Sequence, residues 1–454
     1  MPDAVVSMSP ATTRLTVGRL IDGGKNEPQS DVAILIERDR IVAVGPAAGV
    51  PHPEHAREIA LPHATALPGL IDAHVHITFA GDIDPLGTMA RETDEELIHR
   101  GIVNAERMVR AGVTTAFDCG ARNQTGFGVR RAIERGQGLG PRLMPSGRPV
   151  TRRRGHCHWL NGEAEGVDQV RATIRRLIEE EGADGIKMMA TGGGMTTGTD
   201  SRFAAYPVEV LAAAADETHK LGKVITTHAH GVPGIRNATQ AGIDGIQHTT
   251  MMGDDWTWQF DEDVARLMAD RGTVACPTMA AGLRVQLESG VDINNLNPNP
   301  GKALRPEWLA NGEALRRAGV KMVAATDVGV TLTDFGEELF FELEVYARVG
   351  FTPLEAIRAA TSNSARYLGL ENVTGRIEPG LAADIYVVDG RPDEDISDLR
   401  RGAIVFRQGL LVHATPAPAS PAWPTSGPLA RFQPQPGSGA RLSTANGAAG
   451  APAR

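Results

Sequence analysis

The stretch Leu67–Ile77, LPGLIDAHVHI, decides how the rest of the chain is read. Its apolar run follows Pro68-Gly69 and has the length of a buried strand. His74 and His76 close that run. Side chains two apart on a strand point the same way, so both imidazoles face one side together. Such a pair is a candidate metal site, although a chance His-x-His would look the same. Partners must come from elsewhere in the chain.

From about residue 67 to 366, short apolar runs alternate with helical stretches, the pattern of repeated βα units and a parallel sheet. Eight strands are expected, at Leu70–His76, Val113–Asp118, Arg142–Ser146, Gly185–Ala190, Lys223–His228, Gly242–His248, Thr273–Thr278 and Val320–Asp327. Helical stretches such as DEELIHRGIVNAERMVR, PVEVLAAAADETHKLG and PEWLANGEALRRAG lie between them. Eight repeats predict an α/β fold, a closed (β/α)8 TIM barrel.

The flanks differ in texture. RLTVGRLID, DVAILIERD and RIVAVGPA read as short strands, and strands return in ADIYVVD and AIVFRQGLLVH. Both chain ends are therefore expected to pair into one small β-sandwich domain. The expected division is 1–66 and 367–413 for that domain and 67–366 for the barrel. Residues 414–454 are rich in Pro, Ala, Gly and Ser. Such a tail buries too little apolar surface to offset its chain entropy. It is expected to be disordered, with Trp423 or Phe432 as the residues able to dock.

The 454 residues carry a formal net charge of −9, which argues against nucleic acid or an anionic membrane surface as the main partner. Arg152–Arg154 is too short a basic run to change that. No apolar stretch approaches the ~20 residues of a membrane span. The N-terminus lacks the basic start and long apolar run of a signal peptide. Cys119, Cys157 and Cys276 are few and far apart, so no disulfide framework is indicated and a cytoplasmic setting is expected. A small-molecule substrate is the expected partner.

Polar residues then fall where a barrel builds its active site. Lys187 lies in the fourth expected strand, His228 ends the fifth, His248 the sixth and Asp327 the eighth. Active sites of such barrels sit at the C-terminal strand ends. Each residue alone would read as a hydrogen-bonded core or loop residue. Six such residues at the ends of five strands read as a metal centre.

On these residues, His74-Val75-His76, Lys187, His228, His248 and Asp327, the chain resembles the amidohydrolase superfamily over about residues 15–413. GRIEPGLAADIYVVDG (Gly375–Gly390) is similar to that family's return into its small β domain. ATGGG after the lysine and ATSNSARYLG (Ala360–Gly369) resemble the branch of imidazolonepropionase-like hydrolases, Xaa-Pro and Xaa-Arg dipeptidases and ochratoxin-type amidases.

The resemblance implies two divalent metal ions. His74, His76 and Asp327 would hold one, and His228 and His248 the other. Lys187, carboxylated on its side-chain nitrogen, would bridge both. A free ammonium has no acceptor and cannot ligate a cation, whereas a carbamate can. The alternative is a protonated Lys187 that contacts substrate or forms a salt bridge, with one metal sufficing. Zinc suits N/O ligands with an open position, though other divalent ions would bind. A hydroxide formed at the metals would attack a polarised carbonyl. Asp327 would act as general acid–base, or as a ligand only. Homo-oligomers are common in the resembled family.

Substrate contacts are expected at His230 and His156. Dipeptidase relatives often carry Tyr at the place of His230, and this chain departs from that pattern. His156 and His158 lie where relatives have a Gly-Gly-His-Gly type loop whose His faces the substrate carbonyl. His156 is favoured and His158 second; a separate metal site at His156-Cys157-His158 lacks a partner cluster. The long loop at about 280–306 suits either a lid or plain disorder. Trp256, Trp258 and Phe260 would line an apolar wall or pack in the core. The expected activity is hydrolysis of an amide-type C–N bond in a dipeptide, an N-acyl amino acid, or an apolar amide or carbamate. The alternatives are a cyclic amidohydrolase or deaminase on a nitrogen heterocycle, and a non-catalytic binding protein.

Overall fold

The computed structural model describes residues 12–281, 283–289, 306–426 and 428–433. The strands in chain order are β1 (Thr12–Leu20), β2 (Gln29–Glu37), β3 (Arg40–Pro46), β4 (Arg57–Pro68), β5 (Leu70–Val75), β6 (Val113–Asp118) and β7 (Arg142–Pro145). They continue as β8 (Gly185–Met189), β9 (Val224–Gly231), β10 (Gly245–Met252), β11 (Val274–Cys276), β12 (Ile385–Val388), β13 (Gly402–Arg407) and β14 (Leu410–His413).

Both chain ends meet, as expected, in one hydrogen-bonded sheet of order β14-β13-β12-β4-β1-β2-β3. β4 joins them. It runs for 12 residues. It pairs parallel with β1 on one edge and antiparallel with β12 on the other. The β1 register shifts between Val17 and Arg19, where a Cβ on Gly18 would lie 2.0 Å from the Pro62 carbonyl oxygen. Leu15, Val17, Val32, Ile34, Ala66, Ile385 and Phe406 form one buried apolar cluster on this sheet.

The remaining strands are parallel and form two sheets, β5-β6-β7 and β11-β10-β9-β8. Backbone hydrogen bonds link their edges. Val150 N donates to Lys187 O (2.8 Å) and Met189 N to Val150 O (3.0 Å), joining the chain after β7 to β8. The segment 320–328 lies between β11 and β5: Val323 N donates to Ala275 O (3.1 Å) and His76 N to Val328 O (2.8 Å). This eighth expected strand makes only isolated bridges. Val323 N and Asp327 N donate to the neighbouring strands, the latter to His74 O (2.8 Å), but two donors between them go elsewhere, Thr326 N to the Asp72 carboxylate (3.1 Å) and Ala324 N to Ala359 O (3.0 Å).

Helices connect these strands where expected, including Asp94–Arg110, Val208–Lys220 and Pro306–Arg317. Thr93 and Glu96 form a reciprocal capping box that starts the first of them. Ile186, Met188, Ile225 and Ile246 pack outward into the main core. Ile71, Ala73, Phe117, Cys119, Met144, Cys276, Val323 and Ala325 form a separate buried cluster with Ala365, Tyr367 and Leu368.

Residues 414–433 depart from the expectation of disorder. Thr415 N donates to Arg110 O (2.9 Å) and Ala417 N to Arg400 O (2.9 Å). Trp423 and Phe432 are both buried in the main core. The Arg348 guanidinium lies 4.1 Å from the Trp423 ring centroid. Two aromatic anchors supply burial that the composition of the tail conceals. The expectation for 434–454 lies outside the described residues. Cys119, Cys157 and Cys276 are buried.

Candidate metal centre

The strand β5 changes face midway. Ile71 and Ala73 belong to the apolar cluster inside the parallel strands, whereas Val75 packs outward. The pairing of β5 with β6 is irregular between Asp72 and Val75. Asp72 fills that irregularity. Its carboxylate accepts from His74 N (3.1 Å), Thr326 N (3.1 Å) and Thr326 Oγ1 (2.6 Å). The change of face carries His74 and His76 to the inner side above the apolar cluster. Their Nε2 atoms lie 3.2 and 3.3 Å from the same oxygen, Asp327 Oδ1. His76 Nδ1 is 2.9 Å from Gly120 O, which orients the ring.

Alternation places the next three residues. Ile186 and Met188 face outward, so Lys187 faces inward, and its Nζ lies 3.1 Å from His74 Nε2. Ile225 and Ala229 face outward on β9, so His228 and His230 face inward. His248 does not follow alternation. Gln247 already faces inward, with Nε2 donating to Thr226 Oγ1 at 3.0 Å. A regular strand would turn the next side chain outward. The backbone of His248 instead adopts φ 69°, and Asp327 adopts φ 61°. Left-handed backbone at such residues is costly and is held by its surroundings. Here the His248 ring lies 4.7 Å from both the His228 and His230 rings and 5.4 Å from His74. Its Nδ1 is 2.9 Å from Thr278 Oγ1.

Two groups of donor atoms result. One comprises His74, His76 and Asp327, the other His228, His230 and His248, each with its atoms within 4.8 Å of one another. His230 thus joins a group that the sequence reading fills with His228 and His248 alone. His156 is buried with its ring 4.5 Å from that of His228. Gly193 in the ATGGG run makes this possible, because a Cβ there would lie 2.4 Å from the His156 ring. His158 is not in the cluster; its Nδ1 lies 3.0 Å from Gly155 O. Cys157 packs among Phe79, Met89, Leu97 and Leu160, so it forms no metal group with its neighbours among the described residues. Trp258 stacks on Trp308 at 5.7 Å, and Phe260 packs against the main core.

The electrostatics suit a cation. Burial holds His74 and His248 well below the ordinary imidazole range, which keeps them neutral with a lone pair available. Burial alone would raise the Asp327 carboxyl, but His74 and His76 outweigh it and hold it well below the usual carboxylate range. Lys187 is buried and makes no ion pair among the described residues. Its charge interacts with the Asp327 carboxylate, and as a free ammonium it offers no lone pair to a cation. The donor set therefore fits divalent metal ions.

Three supporting carboxylates escape a reading by motif. Asp72 is one. Asp118, at the end of β6, accepts from Ile77 N at 3.2 Å, and burial pushes it up to about 6. Glu342 accepts from Met279 N (3.1 Å) and Ala280 N (2.6 Å), and burial pushes it up to about 8. Their one sequence signal is a carboxylate inside an apolar run, as in LIDAHV and FFELEV.

Comparison with known proteins places this geometry among others. The profile of the amidohydrolase family matches residues 65–411. An ochratoxinase from Aspergillus niger is 28% identical over 431 residues, covering 87% of this chain and 85% of that one. An imidazolonepropionase from Mesorhizobium japonicum is 25% identical over 376 residues, covering 76% of this chain and 80% of its own. A crystal structure of a Xaa-Pro dipeptidase with methionine in its active site superposes with a TM-score of 0.78 at 28% identity, over 89% of this chain and all of that one (100%).

Proposed function

The chain belongs to the amidohydrolase family, and from that premise we propose that it is a two-metal hydrolase of amide-type C–N bonds in small substrates. The observation that carries this is the pair of donor groups, His74/His76/Asp327 and His228/His230/His248, with the His74 and His248 rings 5.4 Å apart. His74, His76 and Asp327 would hold one ion, and His228 and His248 the other. Lys187, as a carbamate, would bridge them. Bound divalent ions, zinc by default, would acidify a water and polarise a carbonyl.

The chain's own groups do the rest. Asp327, held ionised between His74 and His76, takes the proton of the attacking water and passes it to the leaving nitrogen. His156, pressed against His228, is placed to donate to the substrate carbonyl. His230 is fixed by Thr250 Oγ1, 3.0 Å from its Nδ1, and faces the same space. Phe79 stacks on His76 at 4.8 Å and continues to Trp159 at 6.0 Å. That apolar wall supports an apolar group next to the scissile bond. The scaffold is a closed (β/α)8 barrel with the seven-stranded sheet as its accessory domain, supported by the edge hydrogen bonds on both sides of β5. Three buried thiols support a cytoplasmic setting, and homo-oligomeric assembly rests on family resemblance alone.

The dipeptidase and ochratoxinase relatives favour dipeptides, N-acyl amino acids and apolar amides. The imidazolonepropionase relative favours a second reading, ring opening of a nitrogen heterocycle at a single ion. A hydrolysis screen of the metal-loaded enzyme, with ions counted per chain, separates the two. Two ions and turnover of linear amides are expected, with Asp327→Asn slowing turnover about 10²–10⁴-fold. One ion with turnover of cyclic substrates alone would support the second reading. Full activity in Asp327→Asn would sink both.

A further inference from the structure

Two adjoining hollows lie away from the imidazoles. A cavity of about 1060 Å³ is lined by Val224 and Val274, the first residues of β9 and β11, and by Met322. It therefore opens at the N-terminal ends of the parallel strands, opposite the candidate metal centre. A smaller cavity of about 340 Å³ shares Arg358, Asn363 and Arg366 with it and adds Lys25, Ser362 and Arg376.

The charge of these walls is one-sided. The smaller cavity has four cationic side chains and no carboxylate. Of the four, Arg376 is paired, with Glu378 at 2.9 Å. Lys25, Arg358 and Arg366 make no ion pair among the described residues, and nor does Lys321 in the larger cavity. The carboxylates of the larger cavity are already engaged. Asp184 pairs with Arg130 at 2.6 Å. Asp244 accepts from Ile225 N (2.8 Å) and meets His219 at 3.0 Å. Glu355 accepts from Thr352 N at 2.8 Å. In a chain of net charge −9, so many uncommitted cations around one hollow run against the average. A concave wall focuses their field, and a guanidinium fork matches phosphate oxygens two at a time.

We propose that this basal hollow binds a phosphate-type oxyanion, held by Lys25, Arg358, Arg366 and Arg376, with any attached group lying in the larger cavity. Ser362 and Asn363 supply neutral donors beside the cations. The site is independent of the hydrolytic reading, since it shares no residue with the metal centre.

The test is calorimetric titration of the metal-loaded enzyme with pyrophosphate, with citrate as a carboxylate control. Lys25 and Arg366 are exposed, so Lys25→Glu and Arg366→Glu should fold normally. Saturable pyrophosphate binding is expected, weakened by added salt and weakened about tenfold or more in Arg366→Glu. Lys25→Glu should weaken it in the same sense, and both variants should retain wild-type turnover. His228→Ala should leave the binding intact, because chelation at the metal centre would be lost there. The proposal is overturned by any of three results: no saturable heat, equal affinity in the Arg366→Glu variant, or citrate binding as tightly as pyrophosphate.

Discussion

The apolar cluster of the seven-stranded sheet and the imidazole cluster at the strand ends are both buried, and burial does opposite things to them. Leu15, Ile34 and Phe406 gain by leaving water. His74, His248, Asp327 and Lys187 lose by it. The sheet carries register shifts between Val17 and Arg19, Leu35 and Ile36, and Val387 and Val388. The strand-end cluster places non-glycine residues at positive φ, His248 and Asp327 among them. Stability made in the first region therefore supports strain and desolvation in the second.

If this division is right, damage to the two regions should read out differently. Ile34→Ala should produce the largest effect, a loss of about 2–5 kcal/mol of stability by denaturant unfolding. Its turnover per folded molecule should be unchanged; a fall in turnover would show that the sheet also shapes the site. Asp72→Ala should do the reverse in part. It strands His74 N and Thr326 N and frees the kink in β5, so metal affinity by chelator competition should fall roughly 10–100-fold. Unaltered affinity would mean that the kink is set without Asp72.

A further effect is one of pH. The folded-state pKa of Glu342 is raised to about 8 from an ordinary 4.5 by burial. A raised folded pKa means that the protonated form stabilises the fold. That contribution is complete below 4.5 and is lost as pH climbs through about 8. Stability should decline over this window by on the order of 1 kcal/mol per pH unit. Glu342→Gln keeps an acceptor for Met279 N and Ala280 N and should flatten the decline. An identical slope in the variant would assign the titration to another group.

The comparison also explains what the sequence made legible. Lys187 and His228 reach the inner side by strand alternation, a local rule, whereas His74 and His76 reach it through the change of face in β5. His248 reaches the cluster for a reason alternation cannot supply. Gln247 holds the inward position, and only the left-handed backbone returns the next side chain to the site. The approach of the His156 ring to His228 depends on Gly193, nearly forty positions away, whose missing Cβ admits the ring. Asp72, Asp118 and Glu342 accept from backbone donors that include Thr326 N, Ile77 N, Met279 N and Ala280 N, and beyond the carboxylate in an apolar run nothing in their own segments records those partners. The two-sided pairing of β4 is a tertiary choice. The eighth strand was legible as a segment but not as a ladder, because Thr326 N and Ala324 N, between the donors that reach its neighbours, go to Asp72 and Ala359.

That pairing of β4 has a consequence for how the molecule is made. Pro68 lies opposite Ile385, so one edge of β4 finds its partner only when almost the whole chain exists. At about 5–20 residues per second of synthesis, the wait is on the order of tens of seconds. Strands β1 to β4 can assemble early among themselves, leaving a row of unsatisfied backbone groups along that edge. Pairings this distant in sequence are also slow to find once both strands are present. The nascent chain thus spends its longest vulnerable interval with an open sheet edge, and chaperone dependence during expression should track the β4–β12 seam more closely than the catalytic end.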